Sequence, residues 1–267
     1  MQVYLEVVNP LVSVDRRALM EREFDAAALK PNFFPAIYYR DMSYDYLLEY
    51  CLPTGPWGRT QPGHMATTIS HMKVWERFLE TDLPYCAVFE DDVFVAPDLG
   101  RLLNDMSWWP EDADIVKLEA RRRDGKPVLL GKSEIEACGR KVRRLLSRHM
   151  GAAGYVITRT AAKKLIAAQP YDMVIDHILF NFNASKVAKE FVYYQVVPGL
   201  VTQGNEPGAS SKMDVAEKIP KTEYWLRALR RGWLEVCYPL ATYWQLISGS
   251  ARIIRVKYSD QRIDRNS

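Results

Sequence analysis

From its third residue the chain alternates short apolar runs with segments of helical periodicity, and this alternation limits the possible folds more than any other feature. "VYLEVV" reads as a strand and "VDRRALMEREFDAAAL" as a helix, with Ala18, Leu19, Arg22 and Ala26 near helical spacing. "NFFPAIYY" is extended and broken by Pro35. After the Pro/Gly-rich loop "CLPTGPWGRTQPGH", "MATTISHMKVWERFLE" sets Met65, Ile69, Met72 and Leu79 on one stripe, which predicts a helix with one buried face. "YCAVFE" is a strand, "PDLGRLLNDM" a helix with Pro97 near its first turn, and "ADIVKLE" a strand beside the preceding one. "EARRRDGKPVLL" and "GRKVRRLLSRH" suggest a hairpin or loop excursion turning at Asp124-Gly125. "GAAGYVIT", "RTAAKKLIAA", "IDHILFNFNA" and "FVYYQVVPGLV" continue as strand, helix, helix and strand. Such an order predicts an α/β domain with a mainly parallel central sheet and a site at the carboxyl ends of its strands.

A chain of 267 residues that is 48% hydrophobic can bury one large core, and one main domain is expected. Cys51, Cys86, Cys138 and Cys237 form no CxxC pair, which fits a reducing, cytoplasmic compartment. "MQVYLEVVNP" carries Glu6 inside its apolar run and no basic residue ahead of it, so it is expected to be a strand rather than a secretion signal. No run reaches transmembrane length. The net charge of +3 is a tail property: residues 221–267 hold nine Lys/Arg against four Asp/Glu, or +5, which leaves −2 for the rest. Those basic residues are interleaved with tryptophans and aliphatics, and no nucleic-acid module is recognisable, so no nucleic-acid partner is expected.

The run Cys86–Phe89 ends in Glu90, Asp91 and Asp92. Adjacent carboxylates at the edge of a core lose hydration and repel one another, so the stretch calls for a cation. Magnesium or manganese takes oxygen ligands and leaves positions open for substrate phosphate, so one or two carboxylates suffice. If the strand continued, Glu90 and Asp92 would point to one side and Asp91 to the other; the alternative is a solvated acidic loop. There is neither GxxxxGK[ST] nor a GxGxxG after the first strand, so any nucleotide is held another way. His64 and His71 are seven positions apart, roughly 10 Å along a helix, too far to share one ion.

"QPGHMATTISHMKVWERFLETDLPYCAVFEDDVFVAPDL" resembles the central block of glycosyltransferase family 25, the bacterial lipooligosaccharide galactosyltransferases and their relatives. "ADIVKLE", "GAAGYVITRTAAKKLI", "DMVIDHILF" and "VVPGLVTQGNEPGASS" resemble the later blocks in order, so the likeness spans roughly residues 60–212. The first segment departs from the family pattern, with Asn9, Arg16 and Arg17 standing later than the family's asparagine and arginine. The resemblance implies a GT-A-type nucleotide-sugar-binding sandwich and inverting transfer, with Mn2+ or Mg2+, from a UDP-sugar, in this reading UDP-galactose, to a glycan or glycolipid acceptor. It implies Asp92 as first metal ligand with Glu90 or Asp91 as the second carboxylate, and Asp176 as catalytic base, a position where an N-cap is the alternative. It places Lys117, Glu119, Gly154, Gln203, Ser211 and His71 about the donor. Lys117 and Glu119 are read as diphosphate or ribose contacts or as an exposed edge, Gly151, Ala153 and Gly154 as room for substrate, and Gln203, Ser210 and Ser211 as a lid. Arg121, Arg122 and Arg123, with Arg140 to Arg148, are a solvated face or a contact for acceptor phosphates. The enzymatic alternative is a magnesium-dependent phosphotransferase or nucleotidyltransferase. The alternative from another class is a non-catalytic membrane-associated protein.

Composition divides the chain into a catalytic domain, 1–215, and a basic, aromatic extension, 216–267, expected to be helical. Trp225, Leu229 and Trp233 stand at steps of four, with Arg227, Arg230 and Arg231 away from them. That pattern fits either a closing helix on the core or interfacial contact with the inner face of an anionic membrane.

Overall fold

The computed structural model describes residues 2–121, 124–204, 225, 228–229, 232–233 and 244–260. In chain order the elements are β1 (Val3–Asn9), α1 (Val14–Ala26), β2 (Asn32–Pro35), α2 (Tyr44–Tyr50), β3 (Thr54–Gly55), β4 (Gly58–Arg59), α3 (Pro62–Leu79), β5 (Tyr85–Glu90), β6 (Val93–Val95) and α4 (Leu99–Asn104). Beyond α4 come β7 (Ile115–Lys117), β8 (Lys126–Ala137), β9 (Arg140–Leu145), β10 (Gly154–Thr158), α5 (Arg159–Ala167), α6 (Ile175–Phe180), β11 (Tyr193–Val197), β12 (Val201–Gln203) and β13 (Ala251–Val256).

Nine strands form one sheet in the order β13-β8-β9-β11-β7-β10-β5-β1-β2. Strands β1, β2, β5, β7, β8 and β11 run in one direction and β9, β10 and β13 in the other, so the sheet is mixed but mostly parallel in direction. Strand β5 is interior, paired with β1 on one side and β10 on the other, which is why Cys86–Phe89 is apolar at every position. Cys86 and Val88 pack into the core under α3, while Ala87 and Phe89 pack into the opposite core with Phe24 of α1 and Leu102 of α4. The same alternation carries Glu90 onto the α3 face and Asp91 onto the α1 face.

Helix α3 is buried more widely than one stripe. Met65, Ile69 and Met72 are sealed as the periodicity predicts, but so are Thr68, Ser70 and His71. Thr67, Thr68 and Ser70 satisfy their hydroxyls on the carbonyls of Gly63, His64 and Ala66, four residues back, so these positions tolerate burial.

Three expectations need correction. Strand β7, carrying Lys117, does not neighbour β5, because β10 lies between them. The hairpin joins β8 to β9 inside the main sheet and turns at Cys138-Gly139, both with positive φ (54° and 86°), opposite the Ala137–Arg140 pair. Gly125 lies outside that turn; at φ 75° it passes so close to Val256 that a Cβ would sit 2.3 Å from its carbonyl oxygen. Finally, within the expected helical extension 216–267, Ala251–Val256 is not helix but a strand of the main sheet: β13 pairs along β8 and Val256 is fully buried. Of the expected extension helix, positions 225, 228–229, 232–233 and 244–247 are helical, while Arg227, Arg230 and Arg231 lie outside the described residues.

Arg140 is likewise no solvated cation. Its guanidinium, 1% exposed, takes both Asp98 oxygens at 2.6 and 2.7 Å and donates to the carbonyls of Pro198, Gly199 and Ser259. One side chain thereby ties α4, the β11–β12 link and the segment after β13.

Candidate active site

Strand β5 ends at Glu90, and the chain turns through Asp91 and Asp92 into β6, which is held antiparallel to β12. The backbone N–H of Gly204 donates to the Asp92 carbonyl at 2.7 Å, so the turn is fixed from the β12 side. The three carboxylates have different surroundings. Asp91 is committed: Asn9 at the end of β1 donates to one oxygen at 2.9 Å and Arg16 in α1 to the other at 3.0 Å. Both Asp91 oxygens are thus engaged by the protein, one by an amide and one by a guanidinium. Asn9 and Arg16, displaced relative to the family pattern in sequence, are the residues that reach it.

Glu90 receives the Gln203 amide at 2.8 Å on one oxygen, and its other oxygen faces His71 Nε2 at 3.8 Å. Among the described residues Asp92 has a buried Oδ1 with no hydrogen-bond partner. Burial, and after it the charge of Glu119, pushes the Glu90 carboxyl up from the usual carboxylate range. For Asp92, burial and then the Glu90 charge act in the same direction. Asp176 joins this group electrostatically: burial first, then Glu90 and Glu119, pushes it up to about 6. It occupies the first turn of α6, whose N-cap is Val174 and which has no side-chain cap bond, so Asp176 is not an N-cap.

A cleft of about 510 Å3 opens beside Glu90, Asp91 and Asp92. Its other walls are Arg16, the loop Ala36–Tyr39 after β2, and the first turns of α3 from Gln61 to Ser70. Ser70, buried in α3, fixes that loop by accepting from the Ile37 N–H at 2.9 Å. Tyr38, Tyr39, Gln61 and Thr67 therefore line the cleft without a signal of their own in the sequence beyond the "QPGH" that opens α3, and they are joined there by His64, weighed above only as a partner of His71 on one ion. Among the described residues no three His, Cys, Asp or Glu side chains converge as a closed metal site would. A partnerless carboxylate oxygen beside a second carboxylate instead matches an open shell of hard oxygen donors, completed by a ligand's own oxygens.

The remaining expected donor contacts are placed differently. Lys117 and Glu119 are wholly buried and joined at 3.0 Å, and the Lys117 ammonium also donates to the Gly151 carbonyl and lies 4.0 Å from the Phe180 ring centre. They form a buried pair and not a diphosphate contact or an exposed edge. Gly151 (φ 102°) makes room for the Glu119 carboxylate, 2.5 Å from a hypothetical Cβ, and Gly154 makes room for Val201, so these glycines serve packing. His71 is wholly buried under Glu90 and has no surface to offer a ligand directly. Ser210, Ser211, Arg122 and Arg123 lie outside the described residues.

The sequence matches glycosyltransferase family 25 (LPS biosynthesis protein) over residues 7–179, a span that contains the carboxylate turn, the cleft and Asp176. The chain belongs to glycosyltransferase family 25. A lipooligosaccharide biosynthesis protein, lic2B, of Haemophilus influenzae is 30% identical over 208 residues, covering 74% of each chain. The lacto-N-neotetraose biosynthesis glycosyltransferase LgtE of Neisseria meningitidis is 28% identical over 207 residues, covering 74% of this chain and 72% of its own. A solved glycosyltransferase involved in glycosylation of the PBCV-1 major capsid covers 88% of this chain and 98% of its own at TM-score 0.39 and 11% identity, too distant to bear weight. Membership of family 25 makes the chain a glycosyltransferase, in place of the phosphotransferase and non-catalytic alternatives.

Proposed function

We propose that this family 25 enzyme transfers a hexose, galactose in our reading, from a UDP-sugar to a lipooligosaccharide, LPS-core or other cell-surface glycan acceptor, with inversion at the anomeric carbon. The observation that carries the reading is the Asp92 Oδ1, buried in the cleft wall that Glu90 shares and without a hydrogen-bond partner among the described residues. Two carboxylates raised first by burial, Glu90 further by the Glu119 charge and Asp92 by the Glu90 charge, suit Mn2+ or Mg2+, and Asp92 and Glu90 are the residues that would hold it. When bound, such an ion neutralises charge on the departing diphosphate.

The chain's own residues supply the rest. Arg16 and Asn9 hold Asp91, which keeps the turn in place while leaving Asp92 toward the cleft. Gln203 fixes one Glu90 oxygen. Asp176, raised to about 6, is ionised at neutral pH yet basic enough to take the proton of an acceptor hydroxyl as that oxygen attacks the anomeric carbon. The acceptor's lipid-linked character fits a peripheral membrane position, for which the exposed Trp225, Leu229, Trp233, Trp244 and Ile247 (66–76% exposed) offer apolar contact. No helix among the described residues is long and apolar enough to cross a membrane.

A panel of nucleotide sugars assayed with Mn2+, with Mg2+ and with EDTA tests the donor and the metal. The anomeric configuration of the product, read by NMR, tests inversion. UDP-galactose turnover abolished by EDTA with a β-linked product is expected; undiminished turnover in EDTA, or an α-linked product, overturns the corresponding part.

A further inference from the structure

Beneath Glu90 a chain of three buried side chains crosses the core from α3 to β10. Trp75 Nε1 donates to the Tyr155 hydroxyl at 3.1 Å, and that hydroxyl lies 2.8 Å from His71 Nδ1. All three residues are wholly shielded from solvent. The indole nitrogen is a donor only, so the phenol oxygen accepts there and its own proton needs an acceptor. Among the described residues His71 Nδ1 is the acceptor available, which leaves the imidazole proton on Nε2. Among the described residues that nitrogen has no hydrogen-bond partner; Glu90 Oε1 lies 3.8 Å away, and the Asp176 carboxylate acts on the ring through its charge alone. The distance is too long for a hydrogen bond and short enough for a modest carboxylate movement to close it.

We propose that His71 is a positioning residue: Trp75 and Tyr155 lock its Nε2–H tautomer, and Nε2–H donates to Glu90 when the carboxylate takes up its ligand-bound position. The second clause rests on the proposed function, in which Glu90 helps hold the donor's metal. Glu90 is then gripped from two sides, by Gln203 at the cleft edge and by a neutral donor from the core. A neutral donor suits this place, because it orients the carboxylate without cancelling the negative charge a cation needs.

The tautomer is tested on the free full-length protein by 15N NMR of labelled histidine. Nδ1 is expected to show the signature of an unprotonated ring nitrogen and Nε2 that of a protonated one; a protonated Nδ1 overturns the proposal. On addition of Mg2+ and UDP the Nε2–H signal moves downfield as the bond to Glu90 shortens, and binding with that signal unmoved also overturns it. If Mg2+ and UDP do not bind, the functional reading fails by itself. The relay is then judged on the free protein, where Glu90→Gln must shift the Nε2–H signal or the link to Glu90 is wrong. In transfer assays Tyr155→Phe and His71→Asn lower kcat/KM by about tenfold or more, the usual range for groups that orient ligands. His71→Gln, whose amide nitrogen reaches the Nε2 position, recovers most of that loss; a Gln variant no better than Asn, with both folded by circular dichroism, rejects the role.

Discussion

Removing the Asp92 carboxylate strikes the site at its least compensated atom. Asp92→Ala is expected to leave the fold intact and to cut metal-dependent transfer by more than tenfold, at least about 1.4 kcal/mol of transition-state stabilisation. Rates at saturating Mn2+ decide this, and a variant that keeps more than about a tenth of the wild-type rate excludes Asp92 as a principal ligand. For Asp176→Asn, turnover is expected to fall with the donor KM nearly unchanged, because the proposed base would act on the acceptor and not on the donor. In the wild type, turnover at saturating donor should decline as pH falls through about 6, since protonated Asp176 cannot accept the hydroxyl proton; a flat profile there assigns the base elsewhere. The sequence disclosed the acidic triplet but not its division of labour. Alternation along β5 predicts opposite faces for Glu90 and Asp91, yet that Asn9 and Arg16 would meet Asp91 depends on β1 lying beside β5, a pairing across some 80 residues of chain. Lys117 and Glu119 looked accessible for a related reason: the carbonyl of Gly151 and the ring of Phe180 that help enclose the ammonium come from distant segments.

At the level of elements, strands and helices with strong periodicity were legible, and "YCAVFE" coincides with β5 from Tyr85 to Glu90. The connections that rely on non-local pairing were not. A Cys-Gly turn with two positive φ values carries a weaker signal than Asp-Gly, so the β8–β9 hairpin was displaced toward Asp124-Gly125. β13 was hidden because "ARIIRV" has basic residues on its exposed positions, and nothing in it names β8 as partner. The Arg140–Asp98 pair welds these late elements to α4, and breaking it leaves a carboxylate 6% exposed without its cation. Arg140→Ala should cost about 3–5 kcal/mol in urea unfolding. An unchanged midpoint would show that the pair contributes nothing net.

Across the whole molecule, the raised carboxylates link charge to folding. Glu90, Asp92 and Asp176 bind protons more tightly folded than unfolded, so their stabilising contribution is full at low pH and is lost as pH rises through their folded values. The metal-free protein should melt at a lower temperature at about pH 8 than at about pH 6, and Mn2+ should recover the loss at the higher pH. Calorimetry that shows neither effect would separate the three carboxylates from any cation site. Sedimentation with anionic liposomes tests the exposed aromatics: binding at low salt that weakens with salt, and is reduced by replacing Trp225, Trp233 and Trp244 with serine, is the expected outcome. Indifference to such vesicles rejects the contact. Ending the chain near residue 219 is no clean version of that experiment, because it also removes β13. The same strand has a mechanical consequence. Strand β12 ends at Gln203 and β13, which begins at Ala251, is paired along β8, so the chain is held to the fold on both sides of the intervening residues. A protease site engineered between Gln203 and Ala251 would therefore sever the chain without releasing either piece. Cleavage would pass unseen in native electrophoresis and show as two fragments only under denaturant, the smaller still seated along β8.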